Sequence, residues 1–189
     1  LHPAMRHVGP VRKELGIPTI MNLLGPLTNP AGVRRQVVGV ADPALVPLLA
    51  SALRELGHER AMVVHGAPGM DELSPLGSTR VAERVDGEVR EWNVHPEEIG
   101  VPLARPEEIA GGSPEENAIR IEAVLGGEDT GGALSVTLLN AAAGLYVAGA
   151  VSSLEEGVDL AREVIASGAA RRSLEDLARA ASSEPAPES

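Results

Sequence analysis

Two short apolar segments separated by one helical segment constrain the fold more than any other feature of the sequence. They are "QVVGV", residues 36–40, and "AMVVH", residues 61–65, and each is short, rich in valine and bounded by turn residues, which is typical of buried strands. Between them, "DPALVPLLASALRELG" offers Asp42 as an N-cap, Pro43 in the first turn and Gly57 at the end, which predicts a helix. Strand, helix and strand in this order predict a right-handed βαβ unit with two parallel strands.

The following segments predict an antiparallel addition to the sheet and further helices. "TRVAERV" and "EVREWNV" alternate in polarity and are joined by Asp86 and Gly87, which predicts a hairpin at one edge. Capping boxes at Ser113 and Ser153 mark the starts of two later helices. We therefore predict an α/β fold, a three-layer domain with a mixed, mainly parallel sheet flanked by helices and preceded by a short helical hinge segment.

The distribution of proline, glycine and charge divides the chain into three parts. Residues 1–30 are dense in proline and glycine and are predicted to form a hinge with only short helices. Residues 31–181 are predicted to form the α/β domain, and the polar residues 182–189 a disordered tail. The chain starts at Leu1 rather than at methionine, which suggests a processed chain or a fragment.

The composition argues against several classes of function. With a formal net charge of −11 and 16 scattered Lys and Arg residues, the chain offers no basic surface for nucleic acid, which is not expected as a partner. The absence of cysteine removes thiolate metal sites and is compatible with a reducing cytosol, where we expect the protein. The most apolar window, residues 134–150, is shorter than a membrane span and carries Asn140, which predicts a buried core helix and no membrane association.

The second predicted strand continues into "GAPGMDELS", a loop with two adjacent carboxylates, Asp71 and Glu72. Open α/β folds bind ligands at the carboxyl edge of the sheet, and Gly66 and Gly69 would let this loop approach a substrate. Adjacent carboxylates can share a hard cation such as Mg²⁺. They are also typical of a solvated helix N-terminus, where acids interact favourably with the helix dipole, so the spacing alone leaves both interpretations open.

A basic segment near the start of the chain contrasts with the acidic remainder. "HPAMRHVGPVRKELG", residues 2–16, concentrates His2, Arg6, His7, Arg12 and Lys13. An arginine held on a short helix suits a planar carboxylate, because its guanidinium group forms two parallel charged hydrogen bonds. The alternative is an exposed basic helix face with no ligand.

A glycine-rich segment, "GEDTGGALS" at residues 127–135, precedes a helix in the manner of a phosphate-binding loop. It lacks the lysine of such loops and does not follow a strand, so we predict a connection between two helices. His65, at the end of the second strand, is predicted to be packed or hydrogen-bonded. His58 and His95 are placed in polar loops with no assigned role.

Five segments together resemble, in order and spacing, the C-terminal part of the anthranilate phosphoribosyltransferases. They are "HPAMRHVGPVRKELGIPTIMNLLGPLTNP", "QVVGV", "VVHGAPGMDELS", "NAIRIEAVLGG" and "LLNAAAGLY". The resemblance runs from His2 to about Leu177, and its most specific pieces are the "NLLGPLTNP" and "HGAPGMDELS" runs. It implies a nucleoside phosphorylase/phosphoribosyltransferase-like fold and the transfer of ribose 5-phosphate from phosphoribosyl pyrophosphate to the amino group of anthranilate, a step of tryptophan biosynthesis.

The resemblance also implies roles for particular residues. Asp71 and Glu72 match the family's paired acids that bind Mg²⁺, and Arg12 matches the arginine that receives anthranilate. His2, Gly25 and Pro26 match residues that line the entry of anthranilate. The aromatic amine is nucleophilic when neutral, so we expect catalysis by positioning and metal, without a protein general base. Kinship implies a homodimer for the full-length enzyme.

The sequence departs from the family in one respect. The family's Gly-Thr-Gly-Gly-Asp phosphoribosyl loop and its Lys-His-Gly segment lie upstream in the usual chain and do not occur here. We therefore expect this chain to correspond to the second half of the enzyme and to be inactive alone. The alternatives are an enzyme related to pyrimidine nucleoside phosphorylases and a non-catalytic binding homologue.

Overall fold

The computed structural model of the protein describes Leu27, Asn29 and residues 31–183. Most of the predicted hinge and most of the predicted disordered tail lie outside this part, and the division into three parts stays a prediction. In chain order the elements are β1 (Arg35–Gly39), α1 (Leu45–Glu55), β2 (Arg60–Gly66), β3 (Thr79–Val85), β4 (Glu88–Val94), a 3₁₀ helix (Pro96–Ile99), α2 (Pro106–Ile109), α3 (Pro114–Leu125), α4 (Gly132–Ala148), α5 (Leu154–Ala166) and α6 (Ala169–Ser183).

The four described strands form one sheet in the order β1-β2-β3-β4. β1 and β2 are parallel, with Val38 opposite Val63, and α1 connects them, so the predicted βαβ unit is confirmed. β3 is antiparallel to both β2 and β4, which confirms the hairpin and the mixed sheet. The expectation of mainly parallel pairing is not met within the described residues, because the hairpin contributes two of the three pairings.

The alternating side chains of β2 face two separate hydrophobic clusters. Met62 and Val64 pack with residues of α4 and α5, whereas Ala61 and Val63 pack with α1. All four side chains have no exposed surface, so both faces of the sheet are covered and the three-layer prediction is confirmed. Helix α4 is the predicted apolar helix, and within the described part of the chain no helix is long and apolar enough to cross a membrane.

The capping boxes predicted at the N-termini of two helices, and the predicted hairpin turn, are confirmed in part. At Ser113 the capping box is complete: the hydroxyl accepts from the Glu116 N–H at 3.2 Å and the Glu116 carboxylate accepts from the Ser113 N–H at 2.7 Å. At the second box, Glu156 accepts instead from the N–H of Ser152, one residue earlier than predicted. Asp86 and Gly87 both have positive φ, 50° and 86°, as a two-residue hairpin turn of type I′ requires.

The predicted start of α1 at Asp42 is wrong. The helix begins at Leu45 after an Ala44 N-cap, two residues later than predicted, and the carboxylate of Asp42 accepts a hydrogen bond from the Ala44 N–H at 2.9 Å. This bond closes a turn that contains Pro43 and precedes the helix. Asp42 therefore stabilises the connection that leaves β1, at the same sheet edge as the loop that follows β2.

Candidate functional site

The carboxyl ends of β1 and β2 meet at one edge of the sheet, and the loop 67–78 lies there between β2 and β3. The chain turns back immediately: the Gly66 N–H donates to the Met70 carbonyl at 2.9 Å, and the Met70 N–H donates to the Gly66 carbonyl at 2.7 Å. Asp71 and Glu72 follow this turn. The loop 67–78 is described throughout and contains no helix, so the interpretation of the two acids as a helix N-terminus is wrong.

The second part of the loop is fixed to β3 through two buried hydroxyl groups. The Ser74 N–H donates to Thr79 Oγ1 at 3.0 Å, and Ser74 Oγ accepts from the Leu76 N–H at 3.0 Å. The same hydroxyl donates to the Ala67 carbonyl. Ser74 and Thr79 are each only 1% exposed, so the two ends of the loop are joined through the protein interior.

Two strand glycines allow the backbone of the acidic pair to lie against the sheet. A Cβ at Gly39 would lie 1.4 Å from the Asp71 carbonyl oxygen, and one at Gly66 would lie 2.4 Å from the Glu72 carbonyl oxygen. Gly66 and Gly69 are the two glycines that the sequence predicts to allow the loop to approach a substrate. The structure instead shows that Gly39 and Gly66 accommodate the loop itself, while Gly69 supplies the positive φ of 146° in the turn.

Asn140 holds the residue that follows the pair. Its Oδ1 accepts from the Leu73 N–H at 2.9 Å, and its Nδ2 donates to the Leu73 carbonyl at 3.0 Å. Asn140 is not among the site residues that the sequence predicts. The available signal was a single amide within the otherwise apolar "LLNAAAGLY" run of α4, because a half-buried amide requires polar partners.

The environment of the two carboxylates differs. Asp71 is exposed and Glu72 is half-buried, and burial, followed by the neighbouring charge of Asp71, raises the pKa of the Glu72 carboxyl. A cation beside both would relieve this unfavourable charge. Among the described residues no group of three or more potential metal ligands occurs, so a cation bound here would complete its coordination with water or substrate oxygens, as Mg²⁺ commonly does.

The raised pKa of Glu72 predicts a pH-dependent effect on stability. A carboxyl with a raised pKa favours folding below its ordinary value of 4.5, and this contribution is lost as the pH rises through the raised value. We expect Glu72→Gln to increase the thermal midpoint of the metal-free protein near neutral pH and to leave it unchanged well below 4.5. Thermal scans of both proteins across this range test the expectation, with the exposed Glu163→Gln as control.

An equal effect of Glu72→Gln at both ends of the range would contradict the assigned cause.

The other predicted site residues have different outcomes. Arg12, His2, Gly25 and Pro26 lie outside the described residues. The glycine-rich segment is a connection between α3 and α4, as predicted, and the Gly131 N–H donates to the Asp129 carboxylate at 2.8 Å.

The two histidines near the βαβ unit also differ in outcome. His65 is hydrogen-bonded as predicted, since its Nδ1 lies 2.9 Å from the Val40 carbonyl. His58, placed in a polar loop by the sequence, is only 8% exposed and its Nδ1 lies 3.1 Å from the Leu53 carbonyl. The His58 ring is therefore hydrogen-bonded to the last turns of α1, and the His65 ring to the residue that follows β1.

Comparisons with known proteins agree with this architecture. A model of the glycosyl transferase family, a/b domain, matches residues 1–171. Anthranilate phosphoribosyltransferase of Azorhizobium caulinodans is 50% identical over 179 residues, 95% of this chain and 52% of the relative. The corresponding protein of Rubrobacter xylanophilus is 51% identical over 178 residues, 94% of this chain and 52% of the relative. The chain thus spans about half the length of the curated relatives it matches.

This chain also matches about half the length of solved structures. Anthranilate phosphoribosyltransferase from Thermus thermophilus has a TM-score of 0.85 at 51% identity and matches 93% of this chain and 51% of its own. The Saccharomyces cerevisiae protein, in a complex with PRPP and Mg, has a TM-score of 0.81 at 33% identity and matches 92% of this chain and 50% of its own.

Proposed function

This chain belongs to the glycosyl transferase family, a/b domain, and we propose that it forms the C-terminal part of an anthranilate phosphoribosyltransferase. The observation that carries the proposal is the loop 67–78, which presents Asp71 and Glu72 at the carboxyl edge of the sheet in a chain about 50% identical to such enzymes. These relatives favour this activity over that of a pyrimidine nucleoside phosphorylase.

In the proposed reaction, the amino nitrogen of anthranilate bonds to the anomeric carbon of phosphoribosyl pyrophosphate. The bond from that carbon to the pyrophosphate oxygen breaks, pyrophosphate leaves with the electron pair, and the nitrogen loses a proton. The amine is nucleophilic when neutral, so the protein contributes mainly by positioning both substrates. We assign the positioning of anthranilate to Arg12, His2, Gly25 and Pro26. The roles of these four residues stay predictions.

Asp71 and Glu72 are the proposed Mg²⁺ ligands. The donor set fits: both are carboxylates, they are adjacent, and a positive charge beside Glu72 would offset the causes of its raised pKa. Bound Mg²⁺ would neutralise the charge between these acids and the phosphate oxygens and stabilise the leaving pyrophosphate. The two side chains themselves supply oxygens at a fixed place at the carboxyl ends of β1 and β2.

The full-length enzyme is further proposed to be a cytoplasmic homodimer.

A chimeric enzyme tests the proposed function. This chain replaces the matching half of the Rubrobacter xylanophilus relative, and the loss of anthranilate fluorescence is followed with phosphoribosyl pyrophosphate and Mg²⁺. We expect the chimera to be active and the isolated chain to be inactive, because the upstream phosphoribosyl loop is supplied only in the chimera. The unaltered relative is the positive control.

Two results would contradict these expectations. Product formed by the isolated chain would show that the second-half assignment is wrong. A chimera that folds with the circular dichroism spectrum and melting behaviour of the relative, yet forms no product, would show that the proposed activity is wrong.

A further inference from the structure

Three consecutive residues of the acidic loop are held by three different elements. The backbone of Asp71 passes over Gly39 of β1, and that of Glu72 passes over Gly66 of β2. Leu73 is fixed by its side chain, which has no exposed surface, and by its backbone, which is bound to α4. The side chains of Asp71 and Glu72 therefore extend from a backbone whose position is determined on three sides.

Asn140 is the part of this arrangement that acts by hydrogen bonding. It both accepts from and donates to the backbone of Leu73, at 2.9 and 3.0 Å, and a further donation to the Val136 carbonyl at 2.9 Å fixes the amide on its own helix. The paired bonds to one residue determine its orientation as well as its position. An ionised aspartate would have no N–H to donate, and a leucine would leave two backbone groups without partners.

We propose that Asn140 is a positioning residue for the metal site, and this inference rests on the proposed function. Leu73 follows Glu72 by one peptide bond, so its orientation sets the direction in which the neighbouring carboxylates extend. Mg²⁺ requires near-ideal octahedral geometry, and groups that orient its ligands commonly contribute about 10- to 100-fold in affinity. Asn140 does not touch the metal; it keeps the two ligands in a geometry that one cation can use.

The test measures Mn²⁺ affinity of the 189-residue chain by electron paramagnetic resonance in the presence of pyrophosphate. We expect Asn140→Leu to weaken Mn²⁺ binding about tenfold and to accelerate hydrogen exchange of the Leu73 amide. Thr137→Val is the matched control, because its hydroxyl donates only to the Ala133 carbonyl of the same helix, at 2.8 Å. That variant should bind Mn²⁺ like the unmodified chain.

A second control separates positioning from a general loss of stability. Val158→Ala removes buried volume from α5, where Val158 is 1% exposed, and should lower the urea midpoint while leaving both hydrogen bonds between Asn140 and Leu73 in place. Equal weakening of Mn²⁺ binding by Val158→Ala and Asn140→Leu would overturn the positioning role.

The same titrations distinguish failure of this inference from failure of the proposed function. If Asp71→Asn abolishes Mn²⁺ binding while Asn140→Leu leaves it unchanged, Asn140 has no positioning role but the metal site stands. If Asp71→Asn leaves Mn²⁺ binding unchanged, the metal site itself is wrong, and the role of Asn140 with it.

Discussion

Alanine in place of Gly39 is expected to destabilise the protein by at least about 3 kcal/mol. Its Cβ would lie 1.4 Å from the carbonyl oxygen of Asp71 and 2.3 Å from the carbonyl carbon, and both are backbone atoms that no rotamer change can move. β1 cannot shift away easily, because it is paired with β2 along its length and Val38 is packed in the core beneath α1. Urea unfolding of the 189-residue chain measures the effect.

Gly144→Ala is the control for Gly39→Ala. Gly144 lies inside α4, and a Cβ there would meet no atom within 4 Å, so alanine should stabilise the helix by about 0.5–1 kcal/mol. If Gly39→Ala instead folds with an unchanged urea midpoint, the loop must have moved off the strand, and Mn²⁺ binding should then be lost. Unchanged stability together with unchanged Mn²⁺ binding would show that Asp71 does not pass over Gly39.

The elements that the sequence predicted well are those whose signals are local. The valine-rich segments, the Asp86-Gly87 turn and the capping box at Ser113 each act within a few residues, and the structure confirms them. The error at Asp42 arose where two local signals competed: the same carboxylate can cap a helix or close the turn before it, and here it closes the turn.

The features that were missed depend on contacts between distant parts of the chain. Nothing within "QVVGV" indicates that the backbone of Asp71 will cross Gly39, and nothing near Asn140 indicates a partner 67 residues earlier in the sequence. For the acidic pair, residue spacing left a cation site and a helix N-terminus both open. Only the tertiary path of the loop, which contains no helix, excluded the second.

Removal of both carboxylates is expected to cause the largest loss of activity. In the chimeric enzyme, Asp71→Asn with Glu72→Gln should lower kcat/KM for phosphoribosyl pyrophosphate at fixed Mg²⁺ by about 10²- to 10³-fold, because a metal contributes several kcal/mol to stabilising a leaving polyanion. In a chain of net charge −11, pyrophosphate is repelled unless cations intervene. Initial rates of anthranilate consumption over a range of Mg²⁺ concentrations measure the loss.

The control for this double variant is Glu88→Gln, which also removes an acidic charge. Glu88 is at the start of β4 and pairs with Val85 at the end of β3, so it lies at the end of the sheet opposite the acidic loop. It should retain the kcat/KM of the unmodified chimera. The amides keep the size of the acids and can still accept hydrogen bonds, so a loss confined to the double variant must come from charge and metal coordination. If the double variant keeps the kcat/KM and Mg²⁺ dependence of the chimera, the cation is held by residues upstream of β1, and the acidic loop has only a structural role.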